Sequence, residues 1–339
     1  PIVNPTVGWG LGAIAMVNYP LVKSDKVSPR YYTAVTGFGS SNKSCAAGAL
    51  QQFYFLEDDY RVKLIFGGGK LNSDFYGVGN YAAYEFSFPM GTTGIGGTVT
   101  LLRRVIDRFY AGIQYRLIWV KNEIELNNLD ESVIGDWIRE NTDYDTSDLA
   151  YRTEKISSGI GWVFQYDSRN DQFSATDGWL AEINTLSYFE QLGSDDVFGI
   201  FDAALNGYFS ITSEKYVIAA RLYGVYATTG TPVYFIPTMG QGADLRGYTF
   251  GKYRDNLLMT MQAEFRWNFI WRFYLVVFGG MGTVASGFDD LADAPVLGSY
   301  GGGLRFKVLK DKRLMIRVDY GRGNEGGAGA LYFSINEAF

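Results

Sequence analysis

Histidine is absent from the 339 residues, and cysteine occurs once, as Cys45. The missing histidine removes the commonest general base, and no catalytic motif supports an enzyme, so no enzymatic activity is expected. A lone cysteine cannot close a disulfide within the chain. That suits a reducing compartment and an outer-membrane barrel equally, and so decides nothing. No stretch approaches the roughly 18 consecutive apolar residues of a membrane helix, which excludes a helical membrane protein. The net charge of −6 offers no basic surface for phosphates, so no nucleic-acid partner is expected. No secretion signal is visible at Pro1, and the numbering is taken to begin after a removed signal peptide.

Proline is scarce at 8 residues, whereas 25 Tyr, 24 Phe and 42 Gly are present; this balance favours β structure over helix. Mean hydropathy is −0.06, yet segment after segment alternates apolar and polar side chains. In residues 257–269, Leu257, Met259, Met261, Ala263, Phe265, Trp267 and Phe269 share one face. Leu258, Thr260, Gln262, Glu264, Arg266 and Asn268 share the other. Soluble sandwich strands are usually about 5 to 6 residues long, whereas a bilayer takes roughly 9 to 11. The longer period-two runs predict an all-β fold, a transmembrane antiparallel β-barrel of about 16 strands, filling 1–339 as a single outer-membrane domain. The residues before 7 read as a stub, so closure of the last strand on the first is expected to be weak. Trp9, Tyr19, Trp119, Trp179 and Trp271 fit interfacial girdles.

Residues 123–148 break the alternation with a crowd of acids and Arg139 as the lone cation. They are expected to form a long external loop with one helical turn over 132–139. The spacing of Asp143, Asp145 and Asp148 resembles part of a calcium loop but lacks its glycine and terminal glutamate, so a solvated acidic loop is the reading and no metal or cofactor is expected. Residues 105–108 and 309–313 read as turns. Leu331, Phe333, Ile335 and the terminal Phe339 are placed on one face.

Before the strand at 257 lies a long polar loop carrying Leu245-Arg246-Gly247-Tyr248. This resembles the (V/L)RG(F/Y) motif in the sixth external loop of the BamA/TamA-type outer-membrane assembly superfamily, the bacterial surface antigen barrel. Gln262-Ala263-Glu264-Phe265-Arg266, Phe75-Tyr76-Gly77-Val78-Gly79-Asn80 and the terminal Phe339 match as well, and the resemblance covers essentially the whole chain. It implies a barrel with an inward-folded loop 6, a bacterial outer-membrane location, and Phe339 as a C-terminal recognition signal. Two departures stand out. The family carries POTRA domains ahead of the barrel, and none is expected here. Where the family's strand reads Phe-x-Asp-x-Gly, this chain has Phe278-Gly279-Gly280-Met281-Gly282, with glycine in place of the acid that usually meets the loop arginine.

An arginine in a lumen is costly unless its fork meets a carboxylate. Glu264 and Asp319 are the in-facing candidates, with Arg266 and Arg317 as competitors for them; a solvated Arg246 is the alternative. The resemblance implies help with insertion or translocation of client proteins, with a separate periplasmic partner, at a seam whose edges template a client strand. A structural or passive channel barrel is the alternative. Outer-membrane lipid and lipopolysaccharide are expected partners, and homo-oligomerisation stays open.

Overall fold

The computed structural model describes residues 2–4, 6–19, 28–79, 87–125, 150–240, 244–308, 314–324, 327 and 329–339. Its strands are β1 (Ile2–Asn4), β2 (Gly8–Tyr19), β3 (Tyr31–Ser40), β4 (Cys45–Phe55), β5 (Tyr60–Phe75), β6 (Phe88–Ile106), β7 (Phe109–Glu125) and β8 (Ala150–Asp167). They continue as β9 (Gly178–Tyr188), β10 (Phe198–Ser210), β11 (Tyr216–Ala227), β12 (Leu257–Ile270), β13 (Phe273–Ala285), β14 (Leu297–Lys307), β15 (Met315–Gly323) and β16 (Ala330–Ile335). Each pairs antiparallel with its neighbours in sequence, and β16 returns to β1 to close the barrel.

Alternation decides which side chains face inward. On β12, Met259, Met261, Phe265 and Trp267 are exposed on the outer wall, while Thr260, Gln262, Glu264 and Arg266 are buried within. The same outward apolar band continues through Ile113, Leu117, Trp162, Phe201, Leu222 and Leu275. Such a wall belongs in hydrocarbon, where every backbone amide needs a partner and a closed sheet supplies it.

The two rims differ. At one rim lie four short connections, 56–59, 107–108, 211–215 and 271–272, alongside the ten-residue 168–177. Arg108 (φ 61°) and Trp271 (φ 48°) take the left-handed conformation these tight reversals need. At the other rim lie the long connections, among them 228–256 between β11 and β12.

Closure is uneven. Every residue of β10 from Ile200 to Ser210 has a partner on β11, whereas among the described residues β1 and β16 share the single register pair Val3 with Leu331.

Several local expectations change. The 105–108 turn shrinks to 107–108 because β6 continues through Ile106. Glu123 and Glu125 belong to β7, not to a loop, and Glu123 Oε1 lies 2.6 Å from Arg152 Nε. The rest of that acidic stretch, 126–149, lies outside the described residues, together with its helical turn and Asp143, Asp145 and Asp148. Asn80, residues 241–243 and the basic turn 309–313 lie outside them too. Phe339 does not share the outer face with Leu331. The strand stops at Ile335, Asn336 turns in the left-handed region (φ 70°), and the Phe339 ring packs on the inward Ala175, Tyr208 and Ala219.

Candidate functional site

The long 228–256 connection does not stand away from the barrel. Its middle packs inside the wall of β12 to β15. Leu245, with no exposed surface, joins Met239, Tyr248, Tyr253, Leu258, Val284 and Leu297 in an apolar cluster. Tyr248 reaches the rim of β14 and β15, its hydroxyl 2.6 Å from the Gly298 carbonyl and 2.7 Å from Asn324 Oδ1. Between them Gly247 runs against β15 backbone. At φ 100°, a Cβ there would lie 2.5 Å from the Arg322 carbonyl carbon and the Gly323 nitrogen, so glycine is required both by conformation and by space. Its N–H donates to the Tyr332 hydroxyl at 2.8 Å, which ties the loop to the seam strand β16.

Arg246 is fully buried at the centre of this packing. Its Nη1 lies 2.7 Å from Asp319 Oδ2 and its Nη2 2.6 Å from Glu264 Oε1. The guanidinium stacks over Phe278, 3.5 Å from the ring centroid. The Ser299 hydroxyl donates to the Arg246 carbonyl. Position 280, where the sequence resemblance implies an acid, has no room for a side chain. A Cβ at Gly280 would meet the Met261 carbonyl oxygen at 2.6 Å and Leu245 Cδ1 at 3.1 Å. Leu245 occupies the space that a side chain at 280 would enter, and the carboxylate comes instead from Glu264 one strand away.

Glu264 and Asp319 serve other cations as well. Arg266 Nη2 lies 2.8 Å from Glu264 Oε2. Arg305, fully buried, pairs with Asp319 through Nη1 and places Nε 2.8 Å from Glu337 Oε2. Arg317 keeps a longer contact, 3.8 Å from Asp319 Oδ2. Arg266 also donates to the Phe339 carbonyl oxygen at 3.2 Å and faces the Phe339 ring at 5.7 Å. The cluster therefore joins loop residue Arg246, strands β12, β14 and β15, and the chain end after β16. Four guanidinium groups face three side-chain carboxylates, so most of the acids are shared, a geometry the forked arginine permits and lysine does not.

Arg305 and Glu337 were not singled out in the sequence. Alternation along β14 sets Arg305 on the inner face, but no spacing rule brings a residue of the chain end beneath it. A second network, at the short-turn rim, was missed as well. Arg61 lies 2.7 Å from Asp58 and 3.3 Å from Asp167, and stacks on Tyr110 at 3.8 Å. The Tyr110 hydroxyl donates to Asp58 at 2.6 Å, and Arg169 holds Asp167 at 2.9 Å. On this side of the barrel the lumen keeps a cavity of about 530 Å³, lined by Lys63, Arg116, Glu182 and Asp202 among others.

In the 228–256 connection three further charged side chains are buried, Asp244, Arg254 and Asp255. Burial pushes the Asp244 carboxyl up to about 6, partly offset by Arg221. Burial lowers Arg254 to about 10; its guanidinium meets the Gly251 carbonyl at 3.3 Å and faces the Phe75 ring at 5.2 Å.

Compared with known proteins, residues 29–339 match the family described as the Omp85 superfamily domain. Among solved structures, BamA from Haemophilus ducreyi lacking POTRA domains 1-3 is similar at a TM-score of 0.57 and 16% identity, over 97% of this chain and 70% of that one. CdiB from Acinetobacter baumannii is similar at 0.57 and 12% identity, over 96% and 59%. No curated protein matches.

Proposed function

The chain belongs to the Omp85 superfamily, and from that premise we propose that it sits in the bacterial outer membrane and assists the insertion of client proteins into that membrane or their translocation across it. The observation that carries this reading is the seam. Among the described residues Val3 and Leu331 form its one register pair, between the shortest strand, β1, and β16. Unpaired N–H and C=O groups along a strand edge are a template for an incoming strand. Arg246, Glu264 and Asp319 hold the long connection inside the barrel beside that seam, so the proposed route for a client is sideways along β16 and not down the axis.

Deleting the gene is expected to deplete particular outer-membrane or surface proteins, and complementation with wild type to restore them. A chain carrying V3C and L331C together with C45A should restore them when reduced and fail when the seam is oxidised. An outer-membrane proteome unchanged by the deletion sinks the proposal. The lumen cavity of about 530 Å³ favours a second reading, a passive channel. A steady large conductance in planar bilayers, with no proteome change on deletion, selects it.

A further inference from the structure

We propose that the outer wall of β5 to β7, at the long-loop rim, carries a binding site for a phosphate-bearing lipid headgroup, centred on Lys70, Thr93 and Lys121. Strand register aligns the site. Lys70 pairs with Thr93, Thr93 with Lys121, and Lys121 with Glu154, giving one outward row across four strands. One step toward the barrel's middle, the next outward row is Gly68, Ile95, Trp119 and Ile156, with Ile95 and Ile156 exposed. The apolar band thus ends at the Trp119 level and is followed directly by two exposed lysines. That is the depth at which lipid headgroups lie, with indole rings at the boundary and lysine stems snorkelling above it.

The acids nearby are engaged elsewhere. Glu123 binds Arg152 at 2.6 Å, and Glu154 accepts the Trp119 indole N–H at 3.2 Å. Lys70 and Lys121 have no ion-pair partner among the described residues. They stand two strands apart, about 10 Å between backbones at the usual spacing. Their flexible stems let both ammonium groups converge on one phosphate above Thr93. A recess of about 360 Å³ opens at this point, lined by Lys70, Asn72, Gly91, Thr93, Lys121 and Glu123. An anion in the recess would be met by two cations and a hydroxyl, while its acyl chains lie on the apolar rows below. This site is on the outer wall and is independent of the Arg246 cluster and of the proposed assembly activity.

The test is retention of added lipid by the purified full chain, read by native mass spectrometry. The probes are a bisphosphorylated acyl glycolipid and its dephosphorylated counterpart. Wild type is expected to retain the phosphorylated probe at least tenfold better, and K70S/K121S to lose that preference while keeping a folded, heat-modifiable band. K215S, at the opposite rim, should retain it like wild type. Equal retention of the two probes, undiminished retention by K70S/K121S, or an equal loss in K215S would overturn the proposal. So would complete displacement by millimolar inorganic phosphate, which would make the site one for the free ion.

Discussion

Strands β5 to β8 run 16, 19, 17 and 18 residues, whereas β14 to β16 run 11, 9 and 6. The long arc encloses open lumen, and its Arg61 network sits at one mouth. In the short arc the 228–256 connection fills the interior with Leu245, Arg246 and Tyr248, and a cavity of about 510 Å³ lined by Arg266, Lys307, Met315 and Glu337 lies toward the short-turn rim. A strand that offers few ladder bonds gains little cohesion from the sheet, and here the deficit is met from inside. Arg246 links β12 to β15, Arg305 links β14 to β15 and to the chain end, and Tyr332 binds the loop backbone from β16. The long arc is held along its wall, and the short arc is held across its interior.

The largest test of that contrast is Glu264→Gln. It keeps the shape and removes the charge that Arg246 and Arg266 share, leaving two buried guanidinium groups short of a partner. Breaking a buried pair this way costs about 3–5 kcal/mol. Denaturant titration of the detergent-solubilised barrel, read by heat-modifiable mobility, should show a loss of that order. Glu264→Lys should prevent recovery of the folded band. A wild-type midpoint for Glu264→Gln would mean that the short arc does not depend on its interior.

How the connection seats itself is sharpened by Asp244. Its folded pKa is raised to about 6 from the ordinary 3.8, so folding is favoured most when the carboxyl is protonated in both states. That contribution is present below about pH 4 and is lost as pH rises through 6. Asp244→Asn removes the ionisation, and at neutral pH the barrel should gain stability on the order of 2–3 kcal/mol. The wild type should lose stability between pH 4 and 6 relative to the variant, and parallel pH profiles for the two would contradict the burial of this group.

The arcs also differ in how far they could be read from sequence. The strands were legible because alternation reports directly which face a residue takes, as on β12 from Leu257 to Phe269. The Leu245-Arg246-Gly247-Tyr248 motif was legible as a pattern. Which groups stand around Arg246 was not. Alternation assigns Arg305 to the inner face without saying which strands curve together, and Glu337 enters the cluster only because the chain reverses at Asn336. Phe339 was misplaced for the same reason, since period-two counting was carried past the end of its strand. The Arg61 network is not legible because its acids are far apart in sequence, Asp58 in the 56–59 turn and Asp167 at the end of β8, and only the closed sheet brings them to one arginine.

The smallest expected effect comes from that network. Arg61→Ala removes ion pairs to Asp58 and Asp167, but neither acid is left alone: Tyr110 still donates to Asp58, and Arg169 still holds Asp167 at 2.9 Å. The Arg61 side chain also borders the cavity of about 750 Å³ at the short-turn mouth, where water can enter and solvate what the substitution uncovers. The loss should therefore be about 1–2 kcal/mol, the cost of a few charge-assisted hydrogen bonds with their acceptors rehydrated. Measured in the same titration, it should fall well short of Glu264→Gln. If the two losses were equal, both arcs would rest on their buried ions alike, and strand length would not explain why the connection is folded beside β14 to β16.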